Sequence, residues 1–119
     1  MITVVAFRKL ALSLPGAAEG PHFENTAFLV QGKIFATLNE GAGRAVFKLL
    51  PEQQEIMTTA EPAIFERVPN YWGNKGWTWM HLKKADKKAV ESAMRAAWAN
   101  VTAPKAPKPR KKSAPKRGA

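Results

Sequence analysis

The chain has 119 residues, 19 of them Lys or Arg against 9 Asp or Glu, a formal net charge of +10, and no cysteine. That length supports one compact body with a single core, and the missing cysteines exclude disulfides, thiolate zinc sites and cysteine nucleophiles. The charge is uneven: residues 103–119 hold seven basic residues and no acid, which leaves residues 1–102 at only +3.

The first element is a helix over residues 3–14. Val4, Phe7, Leu10, Ala11 and Leu14 recur at helical spacing as one apolar stripe, with Arg8, Lys9 and Ser13 off it. Thr3 is placed to cap its start, and Pro15-Gly16 to stop it. Val5 and Leu12 fall on the outer side, which leaves room for partial cover there. Residues 16–20 read as a loop. Two strand-like runs, 26–31 and 33–39, flank a turn at Gly32-Lys33 and make a hairpin. After a turn over 40–43, a third strand over 44–50 alternates Ala45, Phe47 and Leu49 with Val46 and Lys48, giving an antiparallel meander. Pro51 suits the first turn of a short helix with Glu52 near its positive end and Ile56, Met57 and Ala60 inward. Glu61-Pro62 ends it, and residues 63–70 run irregularly through Phe65 and Val68.

Residues 71–82 carry three of the four tryptophans and one of the two histidines. Read as a strand from Trp77, the run places Thr78, Met80 and Leu82 on one face and Trp77, Trp79 and His81 on the other. The smaller apolar set suits a layer covered by helices. The two indoles and the imidazole then lie on a face that is either open, as a contact surface, or covered by a second layer or by loops. The last helix starts at Asp86, an N-cap residue, and stripes Val90, Met94, Ala97, Trp98 and Val101 inward, with Lys87, Glu91 and Arg95 spaced four apart outside. Lys83, Lys84, Lys87 and Lys88 crowd that start against the macrodipole, at a cost of about 0.3–1 kcal/mol each. The cluster reads as a seat for a phosphate, or as a solvated turn. From residue 103 the chain is Pro, Ala, Lys and Arg, a composition expected to stay disordered and to bind polyanions through Lys105, Lys108, Arg110, Lys111, Lys112, Lys116 and Arg117.

Several runs carry a family resemblance in order and spacing. They are Leu14-Pro15-Gly16, Glu19-Gly20-Pro21-His22-Phe23, Gly32-Lys33-Ile34-Phe35-Ala36, Phe47-Lys48-Leu49 followed by Pro51-Glu52, and Trp72-Gly73-Asn74-Lys75-Gly76-Trp77-Thr78. The set resembles the MmcQ/YjbR family of small bacterial proteins, over roughly residues 7–100. The resemblance implies an α+β fold of the frataxin/CyaY type, an antiparallel sheet with helices on one side, in what is described for the family as a double-wing DNA-binding arrangement. It supplies no catalytic residues, and the basic tail is not part of the family's common pattern.

Catalytic constellations are missing. His22-x-Glu24 has the start of a zinc deaminase motif without its Cys-x-x-Cys. Two histidines are too few for an ordinary thiolate-free structural zinc site, which leaves His22, Glu24 and His81 as a minor alternative for a transition metal. Ser13 and Ser92 match no nucleophile elbow, no phosphate loop is present, and Gly73-Asn74-Lys75-Gly76 has only the outline of a GxxG clamp.

The sequence therefore predicts an α+β body over residues 1–102, with an antiparallel sheet of four to five strands and helices on one face, and a disordered tail over 103–119. It predicts a non-enzymatic nucleic-acid (DNA)-binding protein without a cofactor. Lys48 and the 83–88 lysines position phosphates, Trp77 and Trp79 stack on bases of a single strand beside His81, and the tail supplies charge. The alternatives are a protein that sequesters a flat aromatic compound or an adaptor using exposed indoles as anchors. No apolar run approaches a membrane span and no export signal is visible. A cytoplasmic chain is expected, with a monomer compatible with its size.

Overall fold

The first helix begins where its cap residue stands. Thr3 Oγ1 accepts a hydrogen bond from the Ala6 amide at 3.1 Å, and α1 (Val4–Leu12) follows. Four strands come next: β1 (Ala18–His22), β2 (Asn25–Val30), β3 (Lys33–Asn39) and β4 (Arg44–Lys48). The chain continues through α2 (Pro51–Ala60), β5 (Phe65–Arg67), α3 (Asn70–Asn74), β6 (Trp77–His81) and α4 (Lys87–Thr102). This computed structural model describes residues 1–22 and 25–102. The tail expected to be disordered, with its seven basic residues, lies outside the described residues, as does Glu24.

All strands pair antiparallel, in the order β1-β2-β3-β4-β6-β5. The six strands exceed the expected four to five because both edges were read as irregular chain. β1 holds Gly20-Pro21, and proline is tolerated there because an edge strand has one row of unpaired amides to spare. β5 is three residues long, too short for alternation to be visible.

One face of the sheet is the core. Phe28, Phe47, Leu38, Ala45 and Met80 point to it and are fully buried, and Phe7 of α1 packs its ring on Phe28 and Phe47 at centroid distances of 5.7 and 5.9 Å. Val90, Ala93, Met94 and Ala97 of α4 close that layer, with Trp98 and Val101 at its margin. Phe47 is fully buried and packs on the Phe7 ring that also meets Phe28, and Phe47→Ala is expected to lower stability by about 3–5 kcal/mol in urea unfolding. A bulge between Phe28 and Leu29 against β3 explains why Phe35 and its neighbour Ala36 both face the core: Phe28 pairs Ala36 and Leu29 pairs Ile34, so Phe35 is skipped. At the margin, Arg8 Nη2 donates to Glu19 at 2.7 Å and ties α1 to the β1 edge. That hydrogen bond, and then the charge of the same carboxylate, hold the arginine above its ordinary pKa.

Three expectations about element ends and helix faces need correction. α1 stops at Leu12, and its outer residues Val5 and Leu12 are left exposed by the described residues. β4 stops at Lys48, two residues short of the expected end, because Leu50 turns out to precede α2. In α2 the inward residues are Gln54 and Met57, whereas Ile56 is 67% exposed and Ala60 is exposed too. Helical spacing placed an apolar side chain inward, but the space beneath α2 is occupied by backbone carbonyls, which a glutamine satisfies and an isoleucine cannot.

Candidate nucleic-acid interface

Alternation along β6 works as the sequence predicted. Thr78 and Met80 are fully buried on the helix side, and Trp77, Trp79 and His81 are half-buried on the opposite face. The two indoles are therefore neither sealed in nor fully exposed.

The register turns that second face into an ordered surface. One cross-strand row, Gly20, Ala27, Thr37, Val46, Trp79 and Glu66, runs through every strand of the sheet. Its middle members are small, and Ala27 and Thr37 are 1% and 8% exposed although neither belongs to the helix-side core cluster. Taller rows on both sides shield them. On one side stand His22 opposite Asn25, and Asn39 opposite Arg44 opposite His81. On the other stand Leu29 opposite Ile34, and Lys48 opposite Trp77. Residues two apart on a strand are about 6.6 Å apart, so the flanking rows lie about 13 Å from each other. The result is a trough across the strands with a polar wall and an apolar wall. Its hollow, about 560 Å3, is lined by Thr37, Val46, Trp77, Trp79 and Ile34, with Trp72 of α3 rising over the rim.

Trp72, 57% exposed, meets Trp77 edge-on at 6.3 Å between centroids, and Tyr71 meets Trp72 edge-on at 5.3 Å. Three of the four rings, Trp79, Trp77 and Tyr71, have a cation near the face. The Arg44 guanidinium lies 4.1 Å from the Trp79 ring, Lys48 Nζ 5.3 Å from Trp77, and Lys75 Nζ 5.3 Å from Tyr71. Among the described residues the ion pairs are Arg8 with Glu19 and His81 with Glu66, so these three cations face no carboxylate partner. Lys48 Nζ also donates to the Lys75 carbonyl at 3.3 Å, which keeps it at the Trp77 end of the trough.

Of the residues predicted to act together, the fold brings Lys48, Trp77, Trp79 and His81 onto one face. It does not bring the lysines of the α4 start beside Lys48. Lys83, Lys84, Lys87 and Lys88 are all exposed beyond the His81 end of β6, while Lys48 pairs with Trp77 at the other end. The free amides expected to hold a phosphate there are partly used: Asp86 Oδ1 accepts from the Ala89 amide at 2.8 Å. A carboxylate thus already sits at that helix start. The histidine–glutamate metal alternative finds no support in the geometry. His22 and His81 are separated by four strand spacings, about 19 Å, and among the described residues no three acidic or histidine side chains gather for a metal. Lys105, Lys108, Arg110, Lys111, Lys112, Lys116 and Arg117 lie outside the described residues.

Sequence reasoning missed Arg44, Trp72 and Lys75. The signal for Arg44 was present, since it shares the parity of Val46 and Lys48. Trp72 belongs to a five-residue helix that no periodicity reveals.

A six-stranded antiparallel sheet with helices packed on one face and an indole-bordered trough on the other places this chain among small α+β domains. The chain belongs to the YjbR family, whose model matches residues 12–100. Among solved structures it is similar to protein DR2400 of Deinococcus radiodurans, which carries a DUF419 domain, at 22% identity and a TM-score of 0.75 over 87% of this chain and 80% of that one. At that identity the likeness speaks for the fold. A comparison with curated proteins finds no match. No helix among the described residues is long and apolar enough to cross a membrane.

Proposed function

We propose that the protein is a non-catalytic nucleic-acid-binding protein whose uncovered sheet face takes single strands, bases lying on the indoles and phosphates beside the cations. The observation that supports this most is the pairing of a cation with each indole of β6, Arg44 with Trp79 and Lys48 with Trp77, along a trough floored by small side chains. A base has a π-face for the indole and a neighbouring phosphate for the cation, so one unit of the polymer matches one unit of the surface. The family's double-wing DNA-binding description agrees with this reading. A cysteine-free chain fits a reducing, cytoplasmic setting.

The basic segment over 103–119 adds affinity without selectivity. If its seven charges all meet phosphates, single-strand affinity falls by about a thousandfold between 50 and 200 mM salt on their account. Deleting residues 103–119 is therefore expected to flatten the salt dependence while leaving weaker single-strand binding, measured by anisotropy of labelled oligonucleotides. Equal binding of duplex and single strand by the shortened chain would count against the trough as the contact surface.

A second reading rests on the largely apolar lining of the hollow. Ile34, Val46, Val68 and three indoles suit a flat aromatic compound held by sequestration, with binding that hardly responds to salt.

A further inference from the structure

Gln54 is a buried polar residue of α2, 7% exposed, whose side chain reaches into the segment that carries the aromatic wall. Its Nε2 lies 3.0 Å from the Gly73 carbonyl, 3.0 Å from the Trp77 carbonyl and 3.2 Å from Thr78 Oγ1. Carbonyl oxygens only accept, so the amide nitrogen and not the amide oxygen must face them. Thr78 Oγ1 donates its own proton to the Gly76 carbonyl at 2.9 Å and is left as an acceptor. Three acceptors thus compete for two amide protons, and the two carbonyls at the shorter distance are those of Gly73, next to Trp72, and of Trp77 itself.

The same segment is pressed against neighbouring backbone. A Cβ on Gly73 would overlap the Val68 carbonyl, and one on Gly76 the Leu49 carbonyl. Nothing else among the described side chains hydrogen-bonds both ends of the turn between Trp72 and Trp77. We propose that Gln54, through its side-chain amide on the carbonyls of Gly73 and Trp77, is the positioning residue that fixes the edge-on Trp72 and Trp77 pair as the wall of the trough. The proposal rests on the reading of that trough as the binding surface. It makes α2, on the far side of the strand, part of the site without touching what binds.

Gln54→Glu in the full chain tests it. Above the titration range of the new carboxyl, that side chain presents only acceptors to carbonyls, and the brace is lost. Below it, the neutral acid donates one hydrogen bond and restores the brace in part. The first readout needs no ligand: the near-ultraviolet circular dichroism of the Trp72 and Trp77 pair, defined as the signal that Trp72→Phe removes. It is expected to collapse in Gln54→Glu at pH 8 and to recover in part at pH 5, with Gln54→Met collapsed at both. The second readout is affinity for a labelled oligothymidylate at 200 mM salt, expected to fall at least fivefold at pH 8. Met94→Ala, a core truncation remote from the trough, serves as the control for general loss of stability. A Gln54→Glu spectrum that matches the unaltered protein at pH 8, or an affinity loss no larger than that of Met94→Ala, overturns the proposal. If the unaltered chain binds no oligonucleotide, the single-strand reading fails, and the spectrum alone decides whether Gln54 holds the indole pair.

Discussion

Gly76→Ala is expected to destabilise the protein by roughly 3 kcal/mol or more, enough to shift the urea midpoint by well over 1 M at a typical slope. Two independent effects act at this position. The backbone adopts φ +103°, a conformation that side-chain-bearing residues rarely take. A Cβ there would also run into the Leu49 carbonyl. That carbonyl ends the strand segment that leads into α2, and Leu49 itself donates its amide to the Gly76 carbonyl at 3.2 Å, so neither partner can retreat without breaking the other's contact. Gly32 and Gly43 give the comparison, since both have positive φ but open space where a Cβ would go. Alanine at either is expected to cost only the conformational share, about 1 kcal/mol. Gly76→Ala no worse than Gly32→Ala would mean that the close approach to Leu49 is not tight in solution.

Trp79→Ala carries the largest expected effect on binding. Loss of a stacking indole typically removes about 1–3 kcal/mol per base, so single-strand affinity should drop roughly five- to 150-fold. Because stacking involves no counterion release, the drop should be similar at 50 and 200 mM salt. Trp79 is half-buried and belongs to no part of the helix-side core, so the fold should survive the change. Its removal also strips the Arg44 guanidinium of the ring it lies on at 4.1 Å. The arginine would then be free to move, and any phosphate it holds would be held less firmly. An unchanged affinity in Trp79→Ala would move the contact surface away from the trough.

The parts of this account that were legible in the sequence are those governed by a strict period. Thr78 and Met80 inward with Trp77, Trp79 and His81 outward follows from two-residue alternation alone, and the fold respects it. Ala45 and Phe47 against Val46 and Lys48 is the same case on β4, and Asp86 as the start of α4 follows from capping chemistry. The trough was not legible, because it is a property of register. Only the pairing of Ala27 with Thr37 and of Thr37 with Val46 shows that small residues from different strands fall into one row. Gln54 was missed for a related reason: a polar residue on the inner side of a helix looks like an error in the apolar pattern until the carbonyls beneath it are known. Lys83, Lys84, Lys87 and Lys88 were grouped with Lys48 by charge, whereas the ladder of β4 with β6 holds the two sets at opposite ends.

The most direct test of the central claim is to follow the indole N–H resonances of the four tryptophans by NMR while oligothymidylate is added at 200 mM salt, with Trp→Phe variants for assignment. Contact along the trough predicts that Trp77 and Trp79 shift together, Trp72 with them, while Trp98 stays fixed by its bond to the Pro15 carbonyl at 3.0 Å on the helix side. Shifts confined to Trp98, or binding that moves none of the four, would contradict it.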